Sequence, residues 1–305
     1  MTNQPLVSVV IPTCNRERKL TRLVSSILNS NYPKNRLEII VIDDNSTDAT
    51  YRDIEKYPNI TIVRNNKKLF PSKLRNIGIR KATGKYILFI DDDNVVEKDM
   101  ILNLVCFMEN HKSVGIVAPL MLYYGSNLIW CAGIKRNMLT SLTSFLLNGK
   151  DYTKVKLPKI IESDDFPNCF MTRRDIILKY GIYFDEILFP IHYEESDFCR
   201  KVHSKGYKIV MFSNAKVWHD VGLPGKPHNI FDNQSPQRLF YTARNRILFH
   251  KKYTPWYKYI LFLFLFLPLL TFYYLYKGIV SNTENKILKI TSFLNGVWKG
   301  IFMSV

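Results

Sequence analysis

The sequence predicts an α/β fold in which a mostly parallel sheet is flanked by helices, with a hydrophobic helical segment near the C terminus. Three observations support this prediction. Short apolar runs alternate with segments of helical spacing, acidic or polar residues directly follow several of these runs, and 18 uncharged residues run together after residue 258. Alternating strands and helices of this kind form βαβ units, in which the strands are parallel.

The predicted strands are short and almost wholly apolar, which is typical of strands buried on both faces of a sheet. The first runs from Leu6 to Ile11, and we expect Pro12 to end it. The others are Leu37 to Ile42, Ile60 to Arg64, Tyr86 to Ile90, Gly115 to Pro119, Asn168 to Thr172, Tyr207 to Met211 and Ala215 to Trp218. Ligands of such sheets bind beyond the carboxyl ends of the strands, so the polar residues found there are candidate site residues.

Helices are predicted between the strands. Arg18 to Ser30 carries apolar residues three and four positions apart, which is helical spacing. The other predicted helices are Lys73 to Ala82, Lys98 to Glu109, Arg174 to Lys179 and Ser196 to Lys205. We expect Ser46 and Asp48 to cap a helix after the second strand. The segment from Leu120 to Asp165 has no clear period, and we interpret it as a loop-rich insertion that faces the substrate.

Tyr259 to Tyr276 contains no charged residue and is rich in Leu and Phe. Its length is at the lower limit for a membrane span, and Pro268 is expected to kink a helix there. A buried helix of a soluble protein is the alternative, but the uniformly apolar composition favours membrane contact. Both spanning and re-entrant geometries are compatible with it. We therefore predict one domain over residues 1–252 and a hydrophobic, membrane-associated region over residues 253–305.

The chain of 305 residues is strongly basic, with a formal net charge of +17 and a pI near 9.6. This charge indicates an anionic partner, either nucleotide phosphates, a nucleic acid or an acidic membrane surface. The sequence lacks zinc-finger spacing, an RNP-like run and a basic recognition helix, so nucleic acid is not predicted. Its five cysteines form no CxxC pair and its N-terminal residues lack a signal-peptide pattern, so we expect a reduced, cytosolic domain.

Three consecutive carboxylates, Asp91, Asp92 and Asp93, follow the strand Tyr86 to Ile90. Like charges at the end of a buried strand are costly unless a cation stabilises them. Carboxylate oxygens favour Mg²⁺ or Mn²⁺, and such ions commonly bridge to substrate phosphates. The pattern therefore predicts a divalent metal site, with a plain acidic turn as the alternative.

Several blocks of the sequence, taken in order, resemble one enzyme family. They are Val7 to Arg16, Val41 to Asp48, Arg75 to Gly78 with Ala82 to Asp93, Phe184 to Glu186 with Tyr193 to Cys199, and Val217 to His219. Together they resemble glycosyltransferase family 2, the inverting nucleotide-sugar transferases with a GT-A fold, over about Leu6 to Lys252. The resemblance implies a Rossmann-like sheet and metal-dependent transfer of a sugar from a nucleotide-diphosphate donor.

The resemblance assigns the metal ligands. It implies that Asp91 and Asp93 form the DxD pair, with one carboxylate on the ion and the other acting through water or the donor ribose. Asp92 lies beside the nucleotide or turns into the structure. His219 would complete the ion's ligand shell, since Mn²⁺ tolerates imidazole. The bound ion would stabilise charge on the leaving diphosphate.

The resemblance also suggests which residues bind the nucleotide. Asp44 would contact the nucleobase or the ribose, with the loop residues Pro12, Thr13 and Asn15 beside it. Arg75 would face the diphosphate, although a solvated helix face explains it nearly as well.

A further arginine is assigned on a second similarity. Arg244, within Tyr241 to Arg246, resembles a segment of lipid-linked-sugar and rhamnosyl-type members. It would hold the diphosphate of the donor or the acceptor. Positive charge close to a membrane is the alternative explanation.

An inverting transfer needs one general base that takes the proton of the acceptor hydroxyl. The family uses the second acid of a Glu-Asp pair at a helix start, and this position is Glu195 here, so a longer side chain replaces the usual aspartate. Asp197 is the reserve candidate. The alternative is that these acids only complement the positive end of the helix.

These observations predict a membrane-associated glycosyltransferase with its catalytic domain on the cytosolic side. It would transfer a sugar to a hydroxyl of a lipid-linked or polysaccharide acceptor, using Mg²⁺ or Mn²⁺. A polyprenyl- or dolichyl-phosphate sugar synthase is the alternative enzyme. A non-catalytic protein that binds sugar nucleotides or membranes is the alternative of another class.

Overall fold

The computed structural model describes residues 4–57, 59–223 and 229–305. The chain forms two compact units. The first comprises Met1–Lys135, Phe145–Phe184 and Phe198–Pro224, and the second comprises Arg136–Ser144, Asp185–Asp197 and Gly225–Val305. The division into residues 1–252 and 253–305 stays a prediction.

The strands alternate with helices along most of the first unit. The strands are β1 (Val7–Thr13), β2 (Leu37–Asp43), β3 (Ile60–Arg64), β4 (Tyr86–Ile90), β5 (Asn94–Val96), β6 (Val114–Tyr123), β7 (Ile129–Cys131), β8 (Ile134–Arg136), β9 (Thr143–Phe145), β10 (Ile160–Glu162), β11 (Cys169–Arg173) and β12 (Lys208–His219). The main sheet has the order β10-β12-β6-β11-β4-β1-β2-β3, and β5 and β7 pair with β12 and β6.

The helices are α1 (Glu17–Leu28), α2 (Thr50–Ile54), α3 (Pro71–Lys81), α4 (Met100–Asn110), α5 (Arg174–Tyr180), α6 (Glu194–His203), α7 (Ile230–Asn233), α8 (Pro236–Tyr253), α9 (Trp256–Leu261), α10 (Leu267–Ile279) and α11 (Lys286–Phe302). The helices α1 to α6 agree closely with the predicted ones, whereas α7, α8 and α11 were not predicted individually. A short 3-10 turn covers Lys34–Arg36, and a π-helical turn covers Phe262–Phe266. In α1, the predicted apolar positions Leu20, Leu23, Val24 and Ile27 are all buried, which confirms the helical spacing.

The sheet is mixed rather than mostly parallel. β1, β2, β3 and β4 are parallel, and so are β6 and β12, but β11 runs antiparallel between β4 and β6. The short strands β7 to β10 precede β11 instead of the crossover helix that a parallel strand would need. The α/β sheet flanked by helices is as predicted, and only the direction of these later strands was wrong.

Three local predictions were wrong. Pro12 does not end β1, which continues to Thr13; β4 pairs with β1 only as far as Val10, and proline is tolerated where a strand has one partner. The two strands predicted after Tyr207 are one strand, β12, with a bulge between Phe212 and Lys216. The predicted insertion begins with strand, because β6 extends to Tyr123.

The helix α3 packs unusually close to β1. A Cβ atom on Gly78 would collide with the Val10 side chain, so only glycine allows this approach. Arg75 lies one turn earlier on the same helix and is buried. The glycine therefore sets the depth at which this arginine is held.

Among the described residues, one helix is long and apolar enough to cross a membrane. It is the continuous segment Trp256–Ile279, of 24 residues and mean hydropathy 1.9, and only 11% of its most apolar stretch is buried within the protein. The segment combines α9, the π-helical turn and α10. Pro268 lies two residues after the π-helical turn, and the helix continues through it.

Candidate active site

The carboxyl ends of neighbouring parallel strands meet at one edge of the sheet in the first unit. Thr13 at the end of β1 is in register with Asp43 at the end of β2. Asp91 to Asp93 directly follow β4, which pairs with β1 on its other side. The strand-end residues predicted from the sequence therefore come from adjacent strands, as expected for a parallel α/β site.

Asp92 turns into the protein. The Thr13 hydroxyl donates a hydrogen bond of 2.7 Å to Asp92 Oδ2, and Asp92 is 8% exposed. Burial raises the pKa of Asp92 to about 7, although the Thr13 hydroxyl opposes this shift. Asp92 thus links β4 to β1, which matches the second of the two roles predicted for it.

Asp93 and His219 lie side by side. The His219 Nε2 atom is 3.2 Å from Asp93 Oδ1, and both side chains are largely buried. Burial acts to raise the pKa of Asp93, but the hydrogen bond and charge of His219 outweigh it and hold that pKa below its usual value. His219 is fixed by its place at the end of β12, opposite Asn94 of β5, and by the Trp130 ring, 4.3 Å away edge-on.

Asp91 has a different neighbour. Its Oδ1 atom accepts a hydrogen bond of 2.9 Å from Arg75 Nη2, and the Arg75 side chain is 3% exposed. The guanidinium also lies 5.6 Å from the centre of the Phe184 ring. The buried Arg75 and the half-buried Asp91 thus form an ion pair, and Asp91 is the residue that precedes Asp92 in the sequence.

These contacts bear on the predicted metal site. Within residues 4–57, 59–223 and 229–305, no three His, Cys, Asp or Glu side chains are grouped so that they could hold a metal ion. Asp93 and His219 offer an oxygen and a nitrogen donor side by side, which suits Mn²⁺ or Mg²⁺. The set of three ligands, Asp91, Asp93 and His219, stays a prediction.

The predicted nucleotide residues lie in two linked loops. Asp44 is buried and its Oδ1 accepts a hydrogen bond of 2.7 Å from the Leu69 amide. Burial raises the pKa of Asp44, although that amide acts against the shift. Asn15 has a left-handed backbone (φ 54°), and its Oδ1 atom accepts a hydrogen bond of 2.8 Å from the Thr47 amide.

Ser46 joins the same loops instead of capping a helix. Its hydroxyl accepts a hydrogen bond of 2.9 Å from the Asn15 amide, and Asp48 accepts one of 3.0 Å from the Thr50 amide at the start of α2. Of the two predicted caps, Asp48 contacts the helix and Ser46 does not. The loops after β1 and β2 therefore hold each other in place beside the strand ends.

The acidic residues of α6 differ in exposure. Glu194 and Asp197 are buried, whereas Glu195 is half-exposed. Asp197 Oδ1 accepts hydrogen bonds from Lys252 Nζ at 2.8 Å and from the Tyr253 hydroxyl at 2.6 Å. The buried acid therefore joins α6 to the end of α8, while Glu195 is half-exposed.

The backbone before α6 is unusual. His192 and Tyr193 both have positive φ angles, 60° and 66°, which non-glycine residues rarely adopt. The Asn245 amide of α8 donates hydrogen bonds of 2.7 Å and 2.9 Å to the carbonyl oxygens of Ile191 and His192. This side chain stabilises the strained turn that sets the start of α6 and hence the position of Glu195.

Arg244 also makes its contacts with residues of the second unit. Its Nη2 atom donates a hydrogen bond of 2.6 Å to the Leu188 carbonyl, its Nε atom donates one of 2.8 Å to Asn245, and its guanidinium lies 4.7 Å from the Tyr241 ring centre. These contacts give Arg244 a structural role. Its predicted binding to a diphosphate stays a prediction.

The sequence reasoning missed Asn245, Lys252 and Tyr253 as site residues. Asn245 lies within Tyr241 to Arg246, where the arginines on either side of it are the more obvious candidates for binding a diphosphate. Lys252 and Tyr253 lie more than 50 positions from Asp197 along the chain. No spacing rule could have joined them.

A comparison with protein families identifies the family of this chain. The family model for glycosyl transferase family 2 matches residues 8–181, which is more than half of the chain. The chain belongs to glycosyltransferase family 2. The matched range contains Pro12, Asp44, Arg75 and Asp91 to Asp93, but not the acids of α6.

This family 2 chain matches only part of the length of its curated relatives. The probable glycosyltransferase YdaM of Bacillus subtilis is 30% identical over 226 residues, covering 72% of this chain and 51% of YdaM. The poly(ribitol-phosphate) β-N-acetylglucosaminyltransferase TarS of Staphylococcus aureus is 34% identical over 111 residues, covering 35% of this chain and 19% of TarS.

Solved structures confirm the predicted GT-A fold. TarS 1–349 of S. aureus in complex with UDP-GlcNAc matches with a TM-score of 0.55 at 19% identity, covering 96% of this chain and 73% of that one. The mannosyltransferase PcManGT of Pyrobaculum calidifontis, in complex with GDP-Man and Mn²⁺, matches with a TM-score of 0.58 at 17% identity, covering 100% and 77%. At these identities, the likeness concerns the fold.

Proposed function

We propose that this family 2 chain transfers a sugar from a nucleotide-diphosphate donor to a hydroxyl of a lipid-linked or polysaccharide acceptor, inverting the anomeric carbon. The observation that carries the proposal is the pairing of Asp93 with His219 beside the Asp91–Arg75 ion pair, at the carboxyl edge of a GT-A sheet. Structures of the same fold are named as complexes with UDP, UDP-GlcNAc and GDP-Man.

A divalent ion fits the donor atoms of this site. Asp93 and His219 would hold Mg²⁺ or Mn²⁺, and two structures of the same fold are named with Mn²⁺. When bound, the ion would act as a Lewis acid that stabilises charge on the leaving diphosphate. Asp91, the third predicted ligand, would approach the ion or the donor ribose only if its ion pair with Arg75 loosened.

Donor recognition rests on the linked loops after β1 and β2. Asp44 would accept hydrogen bonds from the nucleobase or the ribose, with Pro12, Thr13 and Asn15 shaping the pocket wall. Arg75 would neutralise diphosphate charge from its buried position on α3. Arg244 is proposed for the same task, on the similarity of its segment alone.

Glu195 is the proposed general base. Its half-exposed carboxylate takes the proton of the acceptor hydroxyl, whose oxygen then forms a bond to the anomeric carbon. The bond from that carbon to the donor phosphate oxygen breaks, and the nucleoside diphosphate leaves. Asp197 is less suited to this task, because it is buried and hydrogen-bonded to Lys252 and Tyr253.

The location proposed for this activity is the cytosolic face of a membrane. The apolar helix Trp256–Ile279 and the lysines around it support this location. In this proposal residues 1–252 form the catalytic domain and residues 253–305 attach it to the membrane. Some relatives act in teichoic acid synthesis by name, such as the minor teichoic acid biosynthesis protein GgaB of B. subtilis.

The test is turnover with a panel of donors. The purified full chain is incubated with UDP-sugars or GDP-mannose and a membrane lipid extract, in Mn²⁺, Mg²⁺ or a chelator. We expect metal-dependent release of nucleoside diphosphate and a sugar on an acceptor hydroxyl. A lipid-phosphate-linked product would instead identify a polyprenyl-phosphate sugar synthase. Donor binding without turnover in any condition would identify a non-catalytic protein.

A further inference from the structure

The second unit exposes an apolar surface on two helices. On Trp256–Ile279, large apolar side chains are exposed at helical spacing along the whole segment, and α11 adds a second row. The first row is Tyr257, Ile260, Phe264, Leu269, Phe272, Tyr276 and Ile279, and the second is Ile287, Leu288, Leu294, Trp298 and Phe302. Exposed apolar residues so concentrated mark a surface that binds a partner or a membrane.

The opposite side of the same helix contacts the rest of the second unit near two points. Phe262 is fully buried and stacks on His250 of α8, with ring centroids 4.2 Å apart. Near the other end, Tyr274 contacts Phe293 of α11, with ring centroids 5.2 Å apart. The helix is therefore attached near both of its ends and has one free apolar side.

The chain topology excludes a single crossing. The apolar helix follows α8 and precedes α11, and these two helices pack against each other. A Cβ on Gly296 of α11 would collide with the Phe240 carbonyl of α8, and a Cβ on Gly300 would lie 2.9 Å from the Arg244 carbonyl. A helix that crossed a bilayer once would place α8 and α11 on opposite sides, where they could not touch.

The charges around the surface favour an anionic membrane. Residues 254–305 contain five lysines and a single acid, Glu284. Lys258 and Lys299 are exposed on the two helices that carry the apolar rows. Lysines beside apolar and aromatic side chains are the pattern of helices that lie in a lipid interface, and each adds attraction to anionic headgroups.

We propose that Trp256–Ile279 and Lys286–Phe302 lie in the plane of one leaflet of an anionic membrane, so that the chain enters and leaves the lipid on the same side. The π-helical turn agrees with this placement. The turn begins at Phe262 and ends just before Leu267, five positions later, and both residues are buried, so the turn keeps the two halves of the helix packed on the same side around Pro268. The inference extends the membrane attachment proposed above and does not depend on the sugar that is transferred.

The first experiment reads the topology of the full chain. Single cysteines are placed at Gln237 on α8 and at Asn282 after the apolar helix, Gln237→Cys and Asn282→Cys, in a Cys14→Ser, Cys106→Ser background. An impermeant maleimide is then applied to intact cells and to inverted membrane vesicles. We expect both cysteines to react from the same side, the cytosolic one. Reaction from opposite sides would overturn the in-plane arrangement and show a span.

The second experiment reads the partner. Phe264→Ser and Phe272→Ser remove exposed rings, 74% and 71% exposed, and Leu178→Ser, at 54% exposed on α5, is the matched control. Vesicles of phosphatidylcholine with phosphatidylglycerol should bind each Phe variant roughly tenfold more weakly than the parent and the control. Vesicles of phosphatidylcholine alone should bind the parent more weakly too.

Two results would contradict the surface proposal. Unchanged vesicle binding by both Phe variants would remove the apolar rows from the contact. A stable dimer that vesicles do not dissociate would show that a second copy covers this face. Sugar transfer to a soluble acceptor is measured in parallel, so inactivity with normal vesicle binding counts against the proposed function and not against the surface.

Discussion

Two acidic groups look alike in the sequence and differ in the structure. Asp91 to Asp93 follow the strand β4, and Glu194 to Asp197 begin the helix α6. In each group a buried carboxylate is hydrogen-bonded to a distant part of the chain, Asp92 to Thr13 in the first and Asp197 to Lys252 and Tyr253 in the second. The comparison shows that burial and hydrogen-bond partners, not the order of the acids in the sequence, distinguish the members of each group.

The largest effect is expected at Glu195, the half-exposed acid of α6. Glu195→Gln keeps the size of the side chain but cannot accept a proton at neutral pH. We expect turnover to fall by roughly 10² to 10⁴, the usual contribution of a general base, with little change in donor affinity. Single-turnover rates and donor titrations measure the two effects. Full activity of Glu195→Gln would remove this residue from the mechanism.

The next largest effect is expected at the strand-end acids. Asp93→Asn removes the negative charge beside His219, and we expect turnover to fall by about 10² to 10³, as when one stabilising group of a transition state is lost. Asp53→Asn on α2, where the carboxylate pairs with Lys56, is the control. Turnover as a function of Mn²⁺ concentration is the measurement. A variant that is fully active at the parent's Mn²⁺ requirement would contradict a metal role for Asp93.

Asp197 should affect stability more than chemistry. Asp197→Asn weakens the hydrogen bonds from Lys252 and Tyr253, and we expect the free energy of unfolding to fall by about 2 kcal/mol. Asp185→Asn is the matched control, because Asp185 also contacts Lys252, at 3.2 Å, but is partly exposed. We expect it to cost less than about 1 kcal/mol. Denaturant unfolding measures both, and a stable but inactive Asp197→Asn would make Asp197 the base.

The second unit should also lose stability in acid. Burial, with Arg136 and Arg246 nearby, lowers the pKa of His250 to about 4 from a usual value of 6.5. Below pH 6.5 the unfolded chain gains a proton that the folded chain does not bind. The contribution to stability is therefore full above pH 6.5 and falls by about 1.4 kcal/mol per pH unit toward pH 4. Burial lowers the pKa of His192 to about 4 as well, so His250→Gln should remove about half of the combined slope, as denaturant unfolding at several pH values would show.

Much of the fold could be predicted because each element carries a local signal. The buried run Tyr86 to Ile90 and the apolar spacing in α1 were sufficient to define β4 and that helix. The antiparallel direction of β11 could not be predicted, since direction depends on the connection and not on the strand's own residues. Pro12 was misplaced for a similar reason, because its tolerance depends on where the neighbouring strand ends.

The acidic residues of the candidate site could be predicted from the sequence, but their burial and partners could not. The acids at the strand ends and at the start of α6 stood out by residue type and position. Their division into buried and accessible groups did not, because it depends on contacts such as Asp197 with Lys252 that join distant parts of the chain. Which carboxylate bears an ion pair, as Asp91 does with Arg75, is likewise a property of packing.

At Gly78 the helix α3 lies so close to β1 that the gap has no room for even one methyl group. Because a Cβ at this position would meet Val10, any larger residue would lift the helix off the sheet, and Arg75, one turn away, would move with it. A shift of about 1 Å is enough to misalign a reacting group. Gly78 thus sets the spacing between α3 and β1, and this spacing determines where the positive charge of Arg75 lies.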